Sequence, residues 1–308
     1  MHRRFPLALL TAAAVWVSAA DLAHSATTAA SASPAVAVGP QCGSTHVYVA
    51  PAEVDRFAAS FIATFGGQST KRVVATVTPT PSSTILQLLQ SPVGTVSLFG
   101  FTTPIPFPFG TERTGYLVTD IDVAIKAARA AGADVLVEPF SDGIGRDAVI
   151  QWPGGVNTQI YRHTTPPSYA PLQAVPENRV YVSPLRSAAF VNSYLRFSHG
   201  KVVSDEPKAP GVEIGRIDDT YRRIRIESTF GKLTAFVTDG HLPYPYGREL
   251  TGYQVRNLNE TLAKAKGAGV TVLVEPYESG DRESAMVLFP GGYIAEIHSL
   301  HCKAPSPP

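Results

Sequence analysis

The sequence predicts an α+β fold made of two tandem copies of one module, and two observations support this prediction. The first is a match of the chain with itself: Pro106–Tyr116 recurs as Pro243–Tyr253, and both segments read Pro, aromatic, Pro, aromatic, Gly at their start. The second is the order of patterns within each copy, which is strand, helix and three strands, twice over. Ordered matches at a fixed spacing indicate an internal duplication.

Further matches keep the same spacing along the chain. Val135–Phe140 aligns with Val272–Tyr277, and Pro153–Gly155 aligns with Pro290–Gly292, both at 137 residues. Upstream, His46–Pro51 matches Arg179–Pro184 at 133 residues, so a small insertion or deletion separates the two stretches. The duplication therefore spans nearly the whole of each copy.

The first copy shows how one module is built. An alternating strand at 46–49 precedes a helix at 51–65, whose apolar residues recur at helical spacing and which stops at Gly66 and Gly67. In its second half, Asp120 caps a helix that Gly132 ends. The remaining strand-like runs are 73–77, 84–89, 95–99, 115–118, 135–137, 148–152 and 158–161. Each copy is thus a pair of βαβββ units, an order that excludes a doubly wound sheet.

The N-terminal region has the pattern of an export signal. Positive residues at the start precede an apolar run that ends in small residues, which predicts a signal peptide over residues 1–26. The Ala-, Ser-, Thr- and Pro-rich stretch that follows predicts a disordered linker over residues 27–44. We therefore expect a secreted or periplasmic protein with no stable membrane insertion after signal removal.

Composition and cysteine placement narrow the partners. A net charge of +1 gives no basic surface for nucleic acid, and the absence of Gly-rich phosphate motifs argues against a nucleotide cofactor.

Cys42 and Cys302 lie just before the first copy and at the end of the second. In an oxidising compartment such a pair favours an intrachain disulfide, with two free thiols as the alternative.

The repeated stretches resemble the glyoxalase / bleomycin resistance / dioxygenase, or vicinal oxygen chelate (VOC), superfamily. The resemblance rests on Gly115–Ile125, Val137–Pro139 and Gly145–Ile160, and on the equivalent stretches of the second copy. It implies two tandem modules, each a pair of βαβββ units forming a curved mixed sheet around a cleft. It places the first VOC domain at residues 45–165, a linker at 166–177, the second domain at 178–302 and a tail at 303–308.

The resemblance also implies positions for metal ligands. In the first copy these fall on His46, Gln159 and the vicinity of Ser97 and Arg113, of which only His46 and Gln159 can serve as ligands. In the second copy they fall on Arg179, Thr234, Leu250 and Glu296, of which only Glu296 is a usual ligand. A standard four-ligand site is therefore not evident in either copy.

Glu296 and His298 nevertheless form a candidate pair, because residues two apart in a strand face the same side. Such a pair binds a metal or acts as acid and base, and the alternative is a hydrogen-bonded pair at a sheet edge. A bulge would bring Glu249 into the same cleft, although Glu249 and its equivalent Glu112 could equally cap backbone amides. His241, just before the second Pro-aromatic motif, is a further candidate acid or base.

The sequence therefore predicts an exported glyoxalase-like protein that acts on a small organic molecule. As an enzyme it would be a divalent-metal-dependent lyase or isomerase, or a dioxygenase-like protein, using one Zn, Ni, Mn or Fe ion. Glu249, His298 and His241 would be catalytic, and Glu296, His298, Glu249, His46 and Gln159 would hold the metal. The alternative is a non-catalytic protein that binds or sequesters a small molecule in the same fold.

Overall fold

The computed structural model describes residues 34–165 and 168–301. The first module contains nine strands and two helices. Its strands are β1 Ser44–Tyr48, β2 Gln68–Ser69, β3 Val73–Ala75, β4 Thr84–Ser91, β5 Gly94–Phe101, β6 Thr114–Leu117, β7 Asp134–Ser141, β8 Gly145–Gln151 and β9 Asn157–His163, and its helices are α1 Val54–Phe65 and α2 Ile121–Ala131.

The second module repeats this order with eight strands and two helices. Its strands are β10 Glu177–Val182, β11 Lys201–Pro210, β12 Thr220–Ser228, β13 Gly231–Val237, β14 Leu250–Val255, β15 Thr271–Ser279, β16 Arg282–Leu288 and β17 Ile294–Leu300, and its helices are α3 Pro184–Ser198 and α4 Leu258–Gly267. Strand, helix and three strands therefore recur in four units, as the sequence predicted; in the first unit the short β2 and β3, which both pair with β4, together take the place of one strand.

Each module forms one curved mixed sheet. The strand order is β2-β4-β5-β1-β6-β9-β8-β7 in the first, with β3 also paired to β4, and β11-β12-β13-β10-β14-β17-β16-β15 in the second. The two halves of each sheet join through one antiparallel contact, between β1 and β6 or between β10 and β14. Two βαβββ units thus close around one cleft in each module, which confirms the predicted fold class.

Local signals explain the helix ends. The Asp120 side chain accepts a hydrogen bond from the Val123 amide at 3.0 Å, which satisfies a free N–H group at the start of α2. Gly132 ends the same helix with a φ of 99°, a conformation that glycine adopts without steric cost. Asn257 caps α4 in the same way through the Glu260 amide. Both predicted signals on α2 are confirmed.

The helices lie between the two sheets, and the modules pack crosswise. Helix α2 of the first module and α3 of the second share one apolar core, which includes Trp152 and Tyr194. Helix α1 and helix α4 share the other, which includes Phe57 and Phe289. Because strand side chains alternate between faces, one face of each sheet meets the helices and the other is left to line a cleft. Val47 thus packs in the helix-side core while its neighbour His46 lines the first cleft.

Part of the predicted disordered linker is ordered. Val36 is buried in the core with α2, Ala37 pairs with Val118, and a 3-10 helix spans Pro40–Cys42. This segment is rich in small residues, which predicted disorder, but it also contains Val36, whose β-branched side chain packs in the core. The predicted signal peptide and the rest of the linker lie outside the described residues, as does Cys302. In the part of the chain that the structure describes, no helix is long and apolar enough to span a membrane.

Candidate functional site: two unequal clefts

Strand register identifies the side chains at the centre of each cleft. In the first module His46 lies beside Ser97, and Gly115 lies beside Gln159. In the second module the equivalent pairs are Arg179 with Thr234 and Gly252 with Glu296. His46, Ser97 and Gln159, and their counterparts Arg179, Thr234 and Glu296, are among the positions that the family resemblance implies for metal ligands.

The remaining implied positions fall near Arg113 and Leu250, which lie beside His46 and Arg179 where the neighbouring strands begin. The register puts Gly115 and Gly252 at the places that pair with β9 and β17. A Cβ atom on Gly115 would collide with the His46 imidazole, and one on Gly252 would lie 2.6 Å from Glu296 Oε2. Glycine is therefore required for close approach at both places, and neither position supplies a ligand atom.

The first cleft contains a cavity of about 190 Å³. One wall is apolar: Val77 and Phe99 form a cluster with Tyr48 and Leu86, and the Tyr48 and Phe99 rings stack with centroids 4.9 Å apart. The other wall is polar, and the residues on this side that line the cavity are Ser44, His46, Asp142, Asp147, Gln159, Tyr161, His163 and Tyr169. The cavity is thus divided into an apolar side and a hydrogen-bonding side.

His46, Tyr48 and Glu112 form a buried cluster at the edge of this cavity. Tyr48 donates a hydrogen bond to Glu112 Oε1, and His46 Nδ1 lies 3.6 Å from the same oxygen. Burial, followed by the charge of Glu112, raises the pKa of Tyr48 well above its usual range, so Tyr48 stays a donor. The carboxylate of Glu112 therefore reaches the first cleft, where it holds Tyr48 in place and faces the imidazole.

Asp147 and Gln159 form the second polar contact of the cavity. The Gln159 amide donates to Asp147 Oδ2 at 2.8 Å, and Asp147 is only 6% exposed. Burial, and then the negative charge of Asp142, raise the pKa of Asp147 well above its usual range. Burial also lowers the pKa of His163, so this nearby imidazole is uncharged at neutral pH. The polar wall therefore carries acidic groups without a neighbouring permanent cation.

The second cleft is filled by ion pairs. Arg179 contacts Glu296 at 3.1 Å and Glu177 at 3.4 Å, and Arg282 contacts Glu177 at 3.1 Å. His298 Nδ1 lies 2.8 Å from Glu296 Oε2, so the candidate pair does assemble, but beneath the guanidinium of Arg179. The space over this network has essentially no free volume, about 0 Å³. No ligand of appreciable size fits there.

Two sequence differences between the copies explain why only the first cleft is open. Both lie on the strand that pairs with β5 in the first module and with β13 in the second. Leu88 pairs with Ser97 in the first module, and Arg225 pairs with the equivalent Thr234 in the second. Leu86 is likewise replaced by Arg223, which binds Glu213 and, at 2.8 Å, Glu206. Glu213 comes from the 3-10 helix Gly211–Ile214, whose Ile214 packs on Phe236. Apolar cavity walls have thus become arginines, and a following segment covers them.

Ion pairs with arginine determine the protonation state of the two carboxyl groups in the second cleft. Burial acts to raise the pKa of Glu177, but Arg282 and Arg179 lower it to about 2. Burial likewise opposes ionisation of Glu296, and Arg179 and His298 hold its pKa well below its usual range. Both carboxylates are therefore ionised at neutral pH and bound to arginine.

Glu249 does not join Glu296 and His298. It lies half-buried between the modules, with Thr114 Oγ1 at 3.4 Å from its Oε1, and Asn178 is a further neighbour. Burial raises its pKa to about 8. Glu112 therefore contacts Tyr48 and His46 beside the cleft of its own module, whereas Glu249 lies apart from Glu296 and His298.

His241 is also separate from the candidate pair. It is exposed, has a φ of 56°, and borders a surface hollow with Tyr181 and Tyr246. None of Glu249, Glu296 and His298 lines that hollow. The four residues proposed for catalysis and metal binding in the second copy thus occupy three different places.

The donor atoms present do not fit the metal that the fold suggests. Divalent Zn, Ni, Mn or Fe ions need three or more imidazole, thiolate or carboxylate ligands around one point. Among residues 34–165 and 168–301 no group of three His, Cys, Asp or Glu side chains has that arrangement. In the second cleft the Arg179 guanidinium already neutralises Glu296, so a metal ion there would meet a fixed positive charge.

The fold and the paired clefts define a two-module protein of the VOC fold, which confirms the resemblance seen in the sequence. Solved structures of this fold superpose on most of the chain. They include a triple mutant of 4-hydroxymandelate synthase from Streptomyces coelicolor, with TM-score 0.56, 14% identity, and coverage of 87% of this chain and 94% of that one.

Two further structures give the same result. The 2,3-dioxygenase LapB from Pseudomonas sp. KL28 has TM-score 0.51, 13% identity, and coverage of 88% of this chain and 95% of that one. The Mn(II)-bound glyoxalase from Novosphingobium aromaticivorans has TM-score 0.51, 14% identity, and coverage of 85% and 82%. No protein-family model and no curated protein matches the sequence. At these identities the likeness establishes the fold alone.

Sequence reasoning missed the residues that distinguish the clefts. Asp147 and the arginines at 223, 225 and 282 were not candidates, although all lie in predicted or observed strands. A signal for them was present: in β12 the residues at 223 and 225 are charged where β4 carries Leu86 and Leu88. Comparing the two copies face by face, rather than only at family ligand positions, would have shown that one cleft is apolar and the other charged.

Proposed function

We propose that the protein binds a small organic molecule in the cleft of the first module. The observation that carries this proposal is the contrast between a free cavity of about 190 Å³ in the first cleft and none in the second. An apolar cavity of about 150 Å³ is large enough for benzene, so the first cleft suits a molecule built on one ring. Apolar walls with a few convergent polar groups are typical of small-molecule sites.

The test uses a substitution that fills the cavity and a matched control. Ser97 borders the cavity, and Ser97→Phe would occupy the space between the apolar and polar walls. Its counterpart Thr234 lies in the filled cleft, so Thr234→Ser makes the second module resemble the first at this position. We expect benzyl alcohol to bind the wild type and Thr234→Ser alike, measured by ligand-observed NMR, and to bind Ser97→Phe at least about tenfold more weakly.

Equal binding to the wild type and to Ser97→Phe would overturn the proposal. A thermal denaturation curve for each variant separates loss of the cavity from loss of the fold. A folded Ser97→Phe protein that retains affinity would place the ligand elsewhere.

A metal-dependent lyase or isomerase is the competing function. It is favoured by one observation, that the predicted ligands His46 and Gln159 both line the open cleft. Elemental analysis of protein refolded and dialysed with Mn, Fe, Ni or Zn separates the two. Because the donor set is incomplete, we expect less than stoichiometric metal, and no difference between the wild type and His46→Ala. One bound ion per chain that His46→Ala removes would favour the enzyme.

We also propose that the protein acts outside the cytoplasm, on the strength of the signal-like pattern over residues 1–26. Fractionation of the producing cell and N-terminal sequencing of the recovered protein test this. A mature chain beginning near residue 27 is expected, and a chain retaining Met1 in the cytoplasm would contradict it.

Non-reducing mass spectrometry of the same material tests the predicted Cys42–Cys302 bond. We expect a mass lower by two hydrogens than that of the reduced chain.

A further inference from the structure

The ligand class follows from the charges around the first cavity. We propose that the first cleft takes a small arylalkyl amine, with its ring on the apolar wall and its protonated amino group against Asp142 and Asp147. This inference rests on the function proposed above and names the substrate class of the same site.

The apolar wall suits a flat ring. Tyr48 and Phe99 stack on each other, and Phe99 also meets the His46 ring edge-on with centroids 5.3 Å apart. Leu86 and Leu88 border the same space. An aromatic ring packs against such a surface by dispersion and by offset or edge-to-face contacts.

The polar wall carries hydrogen-bond acceptors, and no lysine or arginine side chain faces them. Asp142 Oδ1 accepts from the backbone amides of Ile144 and Gly145 at 3.1 and 2.6 Å, and Asp147 accepts from Gln159. Within the described parts of the chain, no salt bridge includes either carboxyl group. The lining of the cavity contains no lysine or arginine. Two carboxyl groups without a basic neighbour disfavour an organic anion and favour a cation.

The lining offers no positive charge to Asp142 and Asp147, because it contains no lysine or arginine. His163 does not supply one, because burial lowers its pKa. The other titratable groups facing the cavity are Asp142, His46, Tyr48, Tyr161 and Tyr169. A bound ammonium group would provide the missing positive charge.

Three matched ligands test the inference by isothermal titration of the whole mature protein. Benzylamine, benzyl alcohol and benzoate share a ring and differ in the charge of one substituent. A charge-assisted hydrogen bond makes benzylamine bind at least about tenfold more tightly than benzyl alcohol. Benzoate is expected to bind most weakly. Benzoate binding more tightly than benzylamine would overturn the proposal.

Two variants assign the effect to the carboxyl wall. Asp147→Asn keeps the shape of the side chain and should remove most of the preference for benzylamine over benzyl alcohol, measured as the ratio of the two affinities in the same variant. Asp134→Asn is the control, because Asp134 is exposed at the start of β7 and does not line the cavity. An unchanged preference in Asp147→Asn would contradict the proposed contact.

The outcomes also separate this inference from the function on which it rests. If benzyl alcohol and benzylamine bind equally and Ser97→Phe weakens both, the cleft binds small molecules but the amine proposal fails. If none of the three ligands binds, the proposed function fails together with the amine proposal.

Discussion

The two modules share one fold and have opposite interiors. In the first, Leu86, Leu88 and the small side chain of Ser44 leave a cavity, whereas in the second Arg223, Arg225 and Glu177 hold the equivalent positions. The sheets differ little, because the strand order and the β1–β6 type of junction are repeated. The two copies of a duplicated module can thus share one backbone fold while the cleft of one copy is filled by an internal ion-pair network.

The difference between the two clefts predicts how each module responds to substitution. A buried ion pair is costly to desolvate, so such a network is not a simple gain in stability, but removing one partner leaves an unpaired buried charge. The second module is therefore expected to tolerate substitution poorly in its cleft. The first cleft, with few charges and some free space, is expected to tolerate it well and to change in ligand binding instead.

The largest expected effect follows from breaking this network. Glu296→Ala leaves the guanidinium of Arg179 buried without its partner at 3.1 Å, and we expect a loss of about 3–5 kcal/mol in the free energy of unfolding. The equivalent substitution in the first module, Gln159→Ala, removes one hydrogen bond to Asp147 beside a cavity and should cost about 1 kcal/mol. Urea denaturation of both variants measures the contrast, and equal losses would contradict it.

Acid sensitivity is the next effect in size. The folded-state pKa of Glu177 is about 2 against an ordinary value of 4.5. Its stabilising contribution is therefore complete above pH 4.5 and is lost as the pH falls from 4.5 through 2. A shift of this size corresponds to about 3 kcal/mol.

The matched variant for this effect is Glu177→Gln, which has no carboxyl group at the site. It should be less stable at neutral pH and should lose less stability than the wild type between pH 4.5 and 2. Chemical denaturation at a series of pH values measures both slopes. Parallel curves for the two proteins would show that Glu177 does not have the expected low pKa.

A smaller effect of opposite sign is expected at the boundary between the modules. Burial raises the pKa of Glu249 to about 8, so the folded protein binds more protons than the unfolded chain between pH 4.5 and 8. Stability therefore falls as the pH rises through this range. Because Glu249 is only half-buried, we expect a change on the order of 2 kcal/mol. Glu249→Gln should flatten this part of the curve, and an unchanged slope in the variant would contradict it.

The fold could be predicted from sequence because its signals are local and repeated. The Asp120 cap, the Gly132 stop and the strand that carries His46 each depend on neighbouring residues, and Asn257 repeats the cap in the second copy. The pairing of Glu296 with His298 was also predictable, since it follows from their spacing in one strand.

The state of each cleft depends on contacts between distant strands. The family positions placed Arg179 and Glu296 in one cleft, but no local pattern indicates that these two side chains form an ion pair and fill it. The path of the loop before β14 decides that Glu249 faces the module boundary, while the matching Glu112 faces Tyr48. Identical motifs in the two copies thus place equivalent carboxylates in different surroundings.

The most direct test of the difference between the clefts is a crystal structure of the mature protein soaked with 4-bromobenzyl alcohol. Anomalous scattering from bromine locates the ligand without reference to the expected site. We predict one peak between the Tyr48–Phe99 wall and Gln159 in the first module, and none among Arg179, Glu296 and Arg223 in the second. A peak in the second cleft, or a ligand bound only outside both clefts, would contradict the assignment of binding to the first module.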